Sequence, residues 1–181
     1  MEYIDIIDKE TGEITGINKP KPEVHKNGDW HRTVHVWIIN SKNEIMLQHR
    51  SQKMENYPDC WDISCAGHIS SGEDATTAAL REIKEEIGLN LPIERLKMIG
   101  ETIHQVVLNN DTYFDNEYSN VYVVKADLDI AELKMQESEV KNLKWIPMIE
   151  FKQWVQEKKL NLVPHPEEYP LLFEYIDKNL K

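Results

Sequence analysis

A chain of 181 residues, 40% hydrophobic and 29% charged, is long enough for one well-cored domain and leaves no room for two ordinary ones. Its net charge of −11 argues against a nucleic-acid surface, which needs a basic face, and is chiefly a solubility feature. No apolar run approaches the roughly 18 residues of a membrane span, so no membrane partner is expected.

The opening MEYIDIIDKE is acidic and lacks the basic and apolar regions of a secretion signal, which predicts a cytoplasmic location. Residues 3–17 read as a short hairpin turning at Glu10-Thr11-Gly12, and Lys19-Pro20-Lys21-Pro22 breaks regular structure. Residues 33–40 (TVHVWIIN) are rich in β-branched and aromatic side chains and predict a central strand. Residues 44–49 follow as its neighbour, 51–60 as loop, and 63–66 as a short buried strand ending at Gly67. A helix is expected over 73–87, with Ser71 as its cap, Asp74 near the first turn and Gly88 as terminator. Strands over 93–101, 102–108, 120–127 and 143–146 and helices over 148–158 and 167–179 complete the pattern. Strands with three interspersed helices and no repeat predict an α+β fold with a mixed sheet between helices. Cys60 and Cys65 stand alone, so neither a disulfide framework nor a zinc knuckle is indicated.

The most informative stretch is GHISSGEDATTAALREIKEEIGL, residues 67–89. At about 100° per residue, Glu82, Glu85 and Glu86 fall within roughly 100° of one helical face. Like charges four apart cost an isolated helix a few tenths of a kcal/mol, so a face that keeps them points to a bound cation. Leu80, Ile83 and Ile87 share a separate stripe of roughly 60°, available for burial. Ala75, Ala78 and Ala79 fall on or beside the glutamate side and leave close approach open. Oxygen-only clusters of this kind suit Mg²⁺ or Mn²⁺.

Position for position, the stretch resembles the signature of the Nudix hydrolase superfamily. Gly67, Glu73, Arg81, Glu82, Ile83, Glu85, Glu86, Gly88 and Leu89 fill all nine specified places. From average residue usage, a chance match has a probability on the order of one in ten million. The resemblance implies an α/β/α sandwich over the whole chain, with a hairpin and lead-in at 1–27, a core at 28–165 and a terminal helix at 166–181. It implies attack of metal-activated water on the phosphorus of a small anionic organic or nucleoside diphosphate. Glu82, Glu85, Glu86 and the Gly67 carbonyl would hold the metal, and Glu73 would pair with Arg81 to brace the helix. Glu85 or Glu117 would serve as base. Nudix folds often dimerise, so a homodimer is compatible with the resemblance.

Over roughly residues 25–124 the chain also resembles type I isopentenyl diphosphate isomerases, through His31, Trp37-Ile38-Ile39-Asn40, Arg50, Pro58, Trp61, Gly67-His68 and Asp115-Asn116-Glu117. Those isomerases hold a metal with three histidines and two glutamates. The matching positions here are His31, His68, Asp115 and Glu117, with His25 one residue out of register. The isomerase also needs a cysteine directly before its Gly-His pair, where this chain has Ala66. Cys65 is adjacent, but strand alternation turns its side chain to the other face, as a buried small hydrophobe. That departure and the intact glutamate cluster favour hydrolysis. Isomerisation and a non-catalytic nucleotide-sensing role are the alternatives. Arg50 and Lys53 are candidates for phosphate, since a guanidinium fork matches phosphate oxygens. Trp61, Tyr113 and Tyr118 are candidates for a wall around the organic group.

Overall fold

The run HRTVHVWII forms β3 (His31–Ile39), the strand around which the rest is arranged. Eight of its nine residues are buried, because both faces of the sheet are covered. The computed structural model describes residues 1–179.

The main sheet runs β5 (Trp61–Asp62), β4 (Glu44–Arg50), β3, β8 (Tyr113–Lys125), β7 (Lys97–Leu108). Also paired into it are β6 (Cys65–His68), on β3, and β9 (Val140–Pro147), on β4. β3 and β8 are parallel and every other pairing is antiparallel, so the sheet is mixed as expected. A separate hairpin pairs β1 (Tyr3–Ile7) with β2 (Ile14–Pro20).

Period-two alternation splits the strands between two cores. Val34, Val36, Ile38, Met46, Tyr122 and Val124 point to α2 (Ala75–Ile87), where Ala78, Ala79, Ile83 and Ile87 bury against them. Trp37, Ile39, Ile45, Leu47, Val121 and Val123 point the other way. Phe151 and Trp154 of α3 (Met148–Gln156) and Leu172 and Ile176 of α4 (Tyr169–Asn179) cover them. Each fully buried large side chain contributes about 1.5–3 kcal/mol.

Several local expectations are corrected. Pro20 ends β2 and a further helix, α1 (Lys21–Asn27), begins at once. Pro22 sits in its first turn, where the missing N–H has no helical partner to lose. The cap of α2 is Asp74, whose carboxylate accepts from Thr76 N and Thr77 N, both at 3.0 Å. Ser71 instead donates to Asp5 at 2.6 Å, tying the hairpin to the loop before the helix. Leu80 is only half-buried, on the flank of α2, while Ala78 and Ala79 join the core and let the helix lie close to the sheet. The two strands expected over 93–108 are one continuous strand, β7, preceded by a short turn at Ile93–Arg95. β8 starts earlier than its apolar half suggested, so Asp115 and Glu117 lie on a strand. The expected terminal helix extends to 181, and residues 180–181 lie outside the described residues.

Candidate active site

α2 runs beneath β6 with Glu82 and Glu86 one turn apart and turned inward, both buried, while Glu85 is exposed. A Cβ on Gly67 would come within 2.1 Å of Glu82 Cδ and Oε1, so glycine is what allows the helix carboxylate to lie against the strand backbone. Glu86 Oε2 accepts from Ala66 N at 3.2 Å and Gln48 Nε2 at 3.3 Å. Arg81 pairs with Glu73 through two bonds, at 3.0 and 2.9 Å. It also donates to the His68 carbonyl at 2.9 Å, Glu82 at 2.6 Å and Glu85 at 3.2 Å. One guanidinium thus locks the helix, the preceding loop and β6 together.

Glu139, on the segment leading into β9, faces the same cleft. The charge balance is unfavourable without a cation. Burial pushes Glu82 up to about 7, with Arg81 pulling it down and Glu85 and Glu139 adding to the rise. Burial, Glu82 and Glu139 raise Glu86 well above the carboxylate range. Hard oxygen donors that repel one another in a desolvated groove fit a small divalent cation.

A second cluster closes one end of the cleft. His31 and His68 come from β3 and β6, Asp115 and Glu117 from β8, and His25 from α1. His25 Nε2 lies 3.0 Å from His68 Nε2, and its Nδ1 lies 3.2 Å from the Phe114 carbonyl and 3.4 Å from Asp115 Oδ1. Glu117 Oε1 is 3.6 Å from His31 Nε2 and 3.8 Å from His68 Nε2. His25, His31 and His68 offer ring nitrogens within 4.8 Å of one another, and His31, Asp115 and Glu117 offer a second such trio. The Asp29 carbonyl lies 3.0 Å from His31 Nδ1, while the buried Nε2 has no hydrogen-bond partner among the described residues. A desolvated ring nitrogen left unpaired among carboxylates fits a metal ligand. Burial pulls His25 down to about 4, aided by His31, which leaves its imidazole neutral at physiological pH. Burial raises Asp115 to about 9 together with Glu117. Burial opposes ionisation of Glu117 too, but the neighbouring imidazoles of His31, His68 and His35 hold it well below its ordinary value.

Both clusters open into one cleft of about 750 Å³. Arg50 lines it, bonded to Asp62 at 2.9 Å and to the Asn56 carbonyl at 3.2 and 3.0 Å. Tyr113 lines it too, stacked on His25 with centroids 4.2 Å apart. Lys53 and Trp61 fall outside the lining. Trp61 stacks on His49 at 4.6 Å and carries Lys144 over its ring, because residues alternate sides along β5 and it is Asp62 that turns inward. Tyr118 is turned away and donates to the Lys9 carbonyl at 2.5 Å. Ala66 faces the cleft, and Cys65 is fully buried under α2, where burial and Glu86 raise its thiol well above the ordinary range. Sequence reasoning missed Glu139, His35, Asp62 and His165. The nearest signals were the abundance of histidine and the strand pattern that puts His31, Thr33 and His35 on one face.

A glutamate helix clamped under a glycine strand of a mixed sheet, between two helical layers, defines a Nudix architecture. A NUDIX domain profile matches residues 29–166, and the chain belongs to the Nudix family. It is 36% identical over 180 residues to Nudix hydrolase 3 of Arabidopsis thaliana, covering 97% of this chain but 23% of that protein. It is 31% identical over 160 residues to an uncharacterised Nudix hydrolase of Clostridium acetobutylicum (87% of this chain, 75% of that one). It is 26% identical over 179 residues to isopentenyl-diphosphate Delta-isomerase 2 of Photorhabdus laumondii (99% and 92%). The fold is similar to that of DR0079 from Deinococcus radiodurans, with TM-score 0.67 and 17% identity over 96% of this chain and 98% of that one. The NUDIX domain of Shewanella oneidensis NrtR, solved with ADP ribose, follows at TM-score 0.57 and 15% identity (83% and 88%). No helix among the described residues is long and apolar enough to cross a membrane.

Proposed function

We propose that the protein is a Mg²⁺- or Mn²⁺-dependent hydrolase of an organic or nucleoside diphosphate. The observation that carries this reading is the convergence of Glu82, Glu85, Glu86 and Glu139 beside Gly67, with burial raising Glu82 to about 7 and Glu86 well above the carboxylate range. Bound among them, the cation would neutralise charge on the diphosphate and acidify an attacking water. Glu82, Glu86 and the Gly67 carbonyl are the proposed holding groups, with Glu85 at the open side. Glu73 and Arg81 keep those carboxylates in place. Glu85, Glu117 and Glu139 are the candidates to accept the proton from water, since each reaches the cleft from a different element. Arg50 stabilises phosphate oxygens with its unspent donors. His31, His68, Asp115 and Glu117, with His25, form the proposed second metal site.

The test is a phosphate-release screen with Mg²⁺ over nucleoside diphosphates, nucleotide sugars, dinucleotides and prenyl diphosphates. Activity is expected to vanish with a chelator and return with Mg²⁺ or Mn²⁺. Glu86→Gln and Glu85→Gln are expected to lower turnover by about 10²-fold or more with the melting curve still cooperative. Unchanged hydrolysis in either variant defeats the assignment.

The histidine–carboxylate cluster favours isomerisation of an alkenyl diphosphate as a second reading. A thiol at the place of Ala66 is what that chemistry needs, and Cys65 is fully buried in the opposite face. Cys65→Ser is accordingly expected to leave hydrolysis within about threefold of the parent, as a small buried swap does. Isomerase activity that disappears in Cys65→Ser revives the second reading.

A further inference from the structure

The glutamates account for one wall of the cleft and the histidine–carboxylate cluster for one end. A third group of imidazoles and carboxylates borders the cleft beside Arg50, and the hydrolysis proposed above gives it no role. Two of its members come from one turn, His165-Pro166-Glu167-Glu168, just before α4. Glu168 N donates to the His165 carbonyl at 3.0 Å, and proline suits the second position of such a turn. The turn sets His165 Nδ1 3.8 Å from Glu168 Oε1. His35 of β3 is the third member, its Nδ1 bonded to the same Glu168 oxygen. One ring nitrogen of each histidine and one Glu168 oxygen all lie within 4.8 Å of one another. The side chains of His35 and Glu168 are more than nine-tenths buried, and both histidines line the cleft.

The groups behind this trio decide which of its atoms are free. Asp62 Oδ1 accepts from Ile63 N at 2.8 Å and Oδ2 from Arg50 Nη1 at 2.9 Å, and both partners can only donate. A carboxylate paired with arginine accepts from His165 as well, whose Nε2 lies 2.7 Å from Asp62 Oδ1. The His165 proton therefore sits on Nε2, and Nδ1 turns its lone pair toward Glu168. Glu168 Oε2 accepts from Trp37 Nε1, another pure donor, at 3.1 Å, which leaves Oε1 as the acceptor facing both histidines. A lone pair and a carboxylate oxygen 3.8 Å apart repel unless a cation lies between them. An ion with bonds of about 2.0–2.2 Å to each spans that separation. A histidine whose far N–H is held by a carboxylate, and a carboxylate whose second oxygen is hydrogen-bonded, form the outer layer of a metal centre.

We propose that His35 Nδ1, His165 Nδ1 and Glu168 Oε1 form a site for a transition-metal cation, Zn²⁺ by its donor set. Two imidazoles and one carboxylate suit zinc, whereas magnesium keeps to oxygen ligands. Binding exchanges a proton for the ion: His35 Nδ1 releases its hydrogen to solvent and turns the freed lone pair, like Glu168 Oε1, to the metal. Three protein donors leave one tetrahedral position, which opens on the cleft and takes water or a ligand oxygen. His35 lies four residues from His31 along β3, about 13 Å at 3.3 Å per residue, too far for this trio and the His31 cluster to share an ion. Asp62 and Trp37 are positioning residues that hold His165 and Glu168.

The test measures Zn²⁺ binding without substrate, so its outcome is independent of the hydrolase reading. The full chain is dialysed against Zn²⁺ in excess Mg²⁺, which competes for the all-oxygen glutamate site. His31 belongs to both trios of the other cluster, so His31→Gln serves as the background. About one Zn²⁺ per chain is expected to remain bound in it. Adding His165→Gln is expected to weaken that binding about 100-fold, and adding Asp62→Asn, which keeps all three donors, about tenfold. Each variant is checked for a cooperative melt. Zinc held as tightly after His165→Gln, or none held in a background that still folds, overturns the proposal. Zinc-edge anomalous diffraction from soaked parent crystals needs no substitution at all. A peak among His35, His165 and Glu168 supports the site. Peaks elsewhere only, or none, overturn it and leave His35 and Glu168 as a structural ion pair.

Discussion

At the scale of single residues, Gly67 and His35 show how backbone and charge are used. Gly67 has no side chain because the Glu82 carboxylate occupies the space where one would be. Gly67→Ala is expected to leave folding cooperative but displace Glu82, lowering kcat/KM by about 10²-fold and weakening Mn²⁺ binding in calorimetry. His35 makes a pH prediction. Burial lowers its pKa, but Glu168, with Glu117 and Asp62 adding to it, raises it from 6.5 to about 9 in the folded chain. A group whose folded value is raised stabilises the protein fully below its unfolded value and loses that contribution as pH climbs through the folded one. The window is therefore 6.5 to 9. Urea midpoints are expected to fall across it by the equivalent of up to about 3 kcal/mol, and the fall should shrink in Glu168→Gln. A flat profile between those pH values contradicts the ion pair.

At the scale of elements, α2 has two tasks and its sequence separates them. Ala78, Ala79, Ile83 and Ile87 bury, while Glu82, Glu85 and Glu86 reach the cleft. Its ends are fixed by Asp74 and by Gly88, whose φ of 71° and N–H bond to the Lys84 carbonyl close the last turn. Asp74→Ala is expected to cost about 1 kcal/mol and lower Tm by about 2–4 °C, leaving kcat unchanged. A loss of kcat without a change in Tm would show that the cap is not its role. The glutamate signature is legible in the sequence because it is local: spacing along one helix fixes which side chains share a face. Local sequence points as readily to Ser71 as to Asp74, because Ser and Asp are equally good caps, and only the contact of Ser71 with Asp5 of the hairpin decides which is free. α1 was hidden by its two prolines, one ending a strand and one opening a helix.

At the scale of the whole molecule, an excess of eleven negative charges surrounds a cleft that is itself lined by carboxylates. Such a field concentrates divalent cations and is screened over about 10 Å at 0.1 M salt. The Mg²⁺ concentration for half-maximal activity is therefore expected to rise severalfold between 20 and 300 mM KCl, more steeply than KM for a neutralised Mg²⁺–diphosphate complex. Salt independence of both would leave the net charge as a solubility feature alone.

The amino-acid sequence by itself determined the glutamate helix, its Gly67 partner, the Glu73–Arg81 brace and the mixed α+β class. The helix face follows from periodicity, the class from the order of strands and helices, and the Gly67 partner and the brace from the resemblance of 23 consecutive residues to a family signature. Tertiary structure alone decided that His25 joins His31 and His68, that Glu139 faces Glu86, and that Asp62, His165 and Glu168 stand behind Arg50 and His35. Those groups are up to 133 residues apart in the pairing of His35 with Glu168. It also removed Trp61 and Lys53 from the cleft. The physical reason is that strand register, helix entry and side-chain facing depend on what packs across the sheet, and local spacing carries no record of partners so distant along the chain.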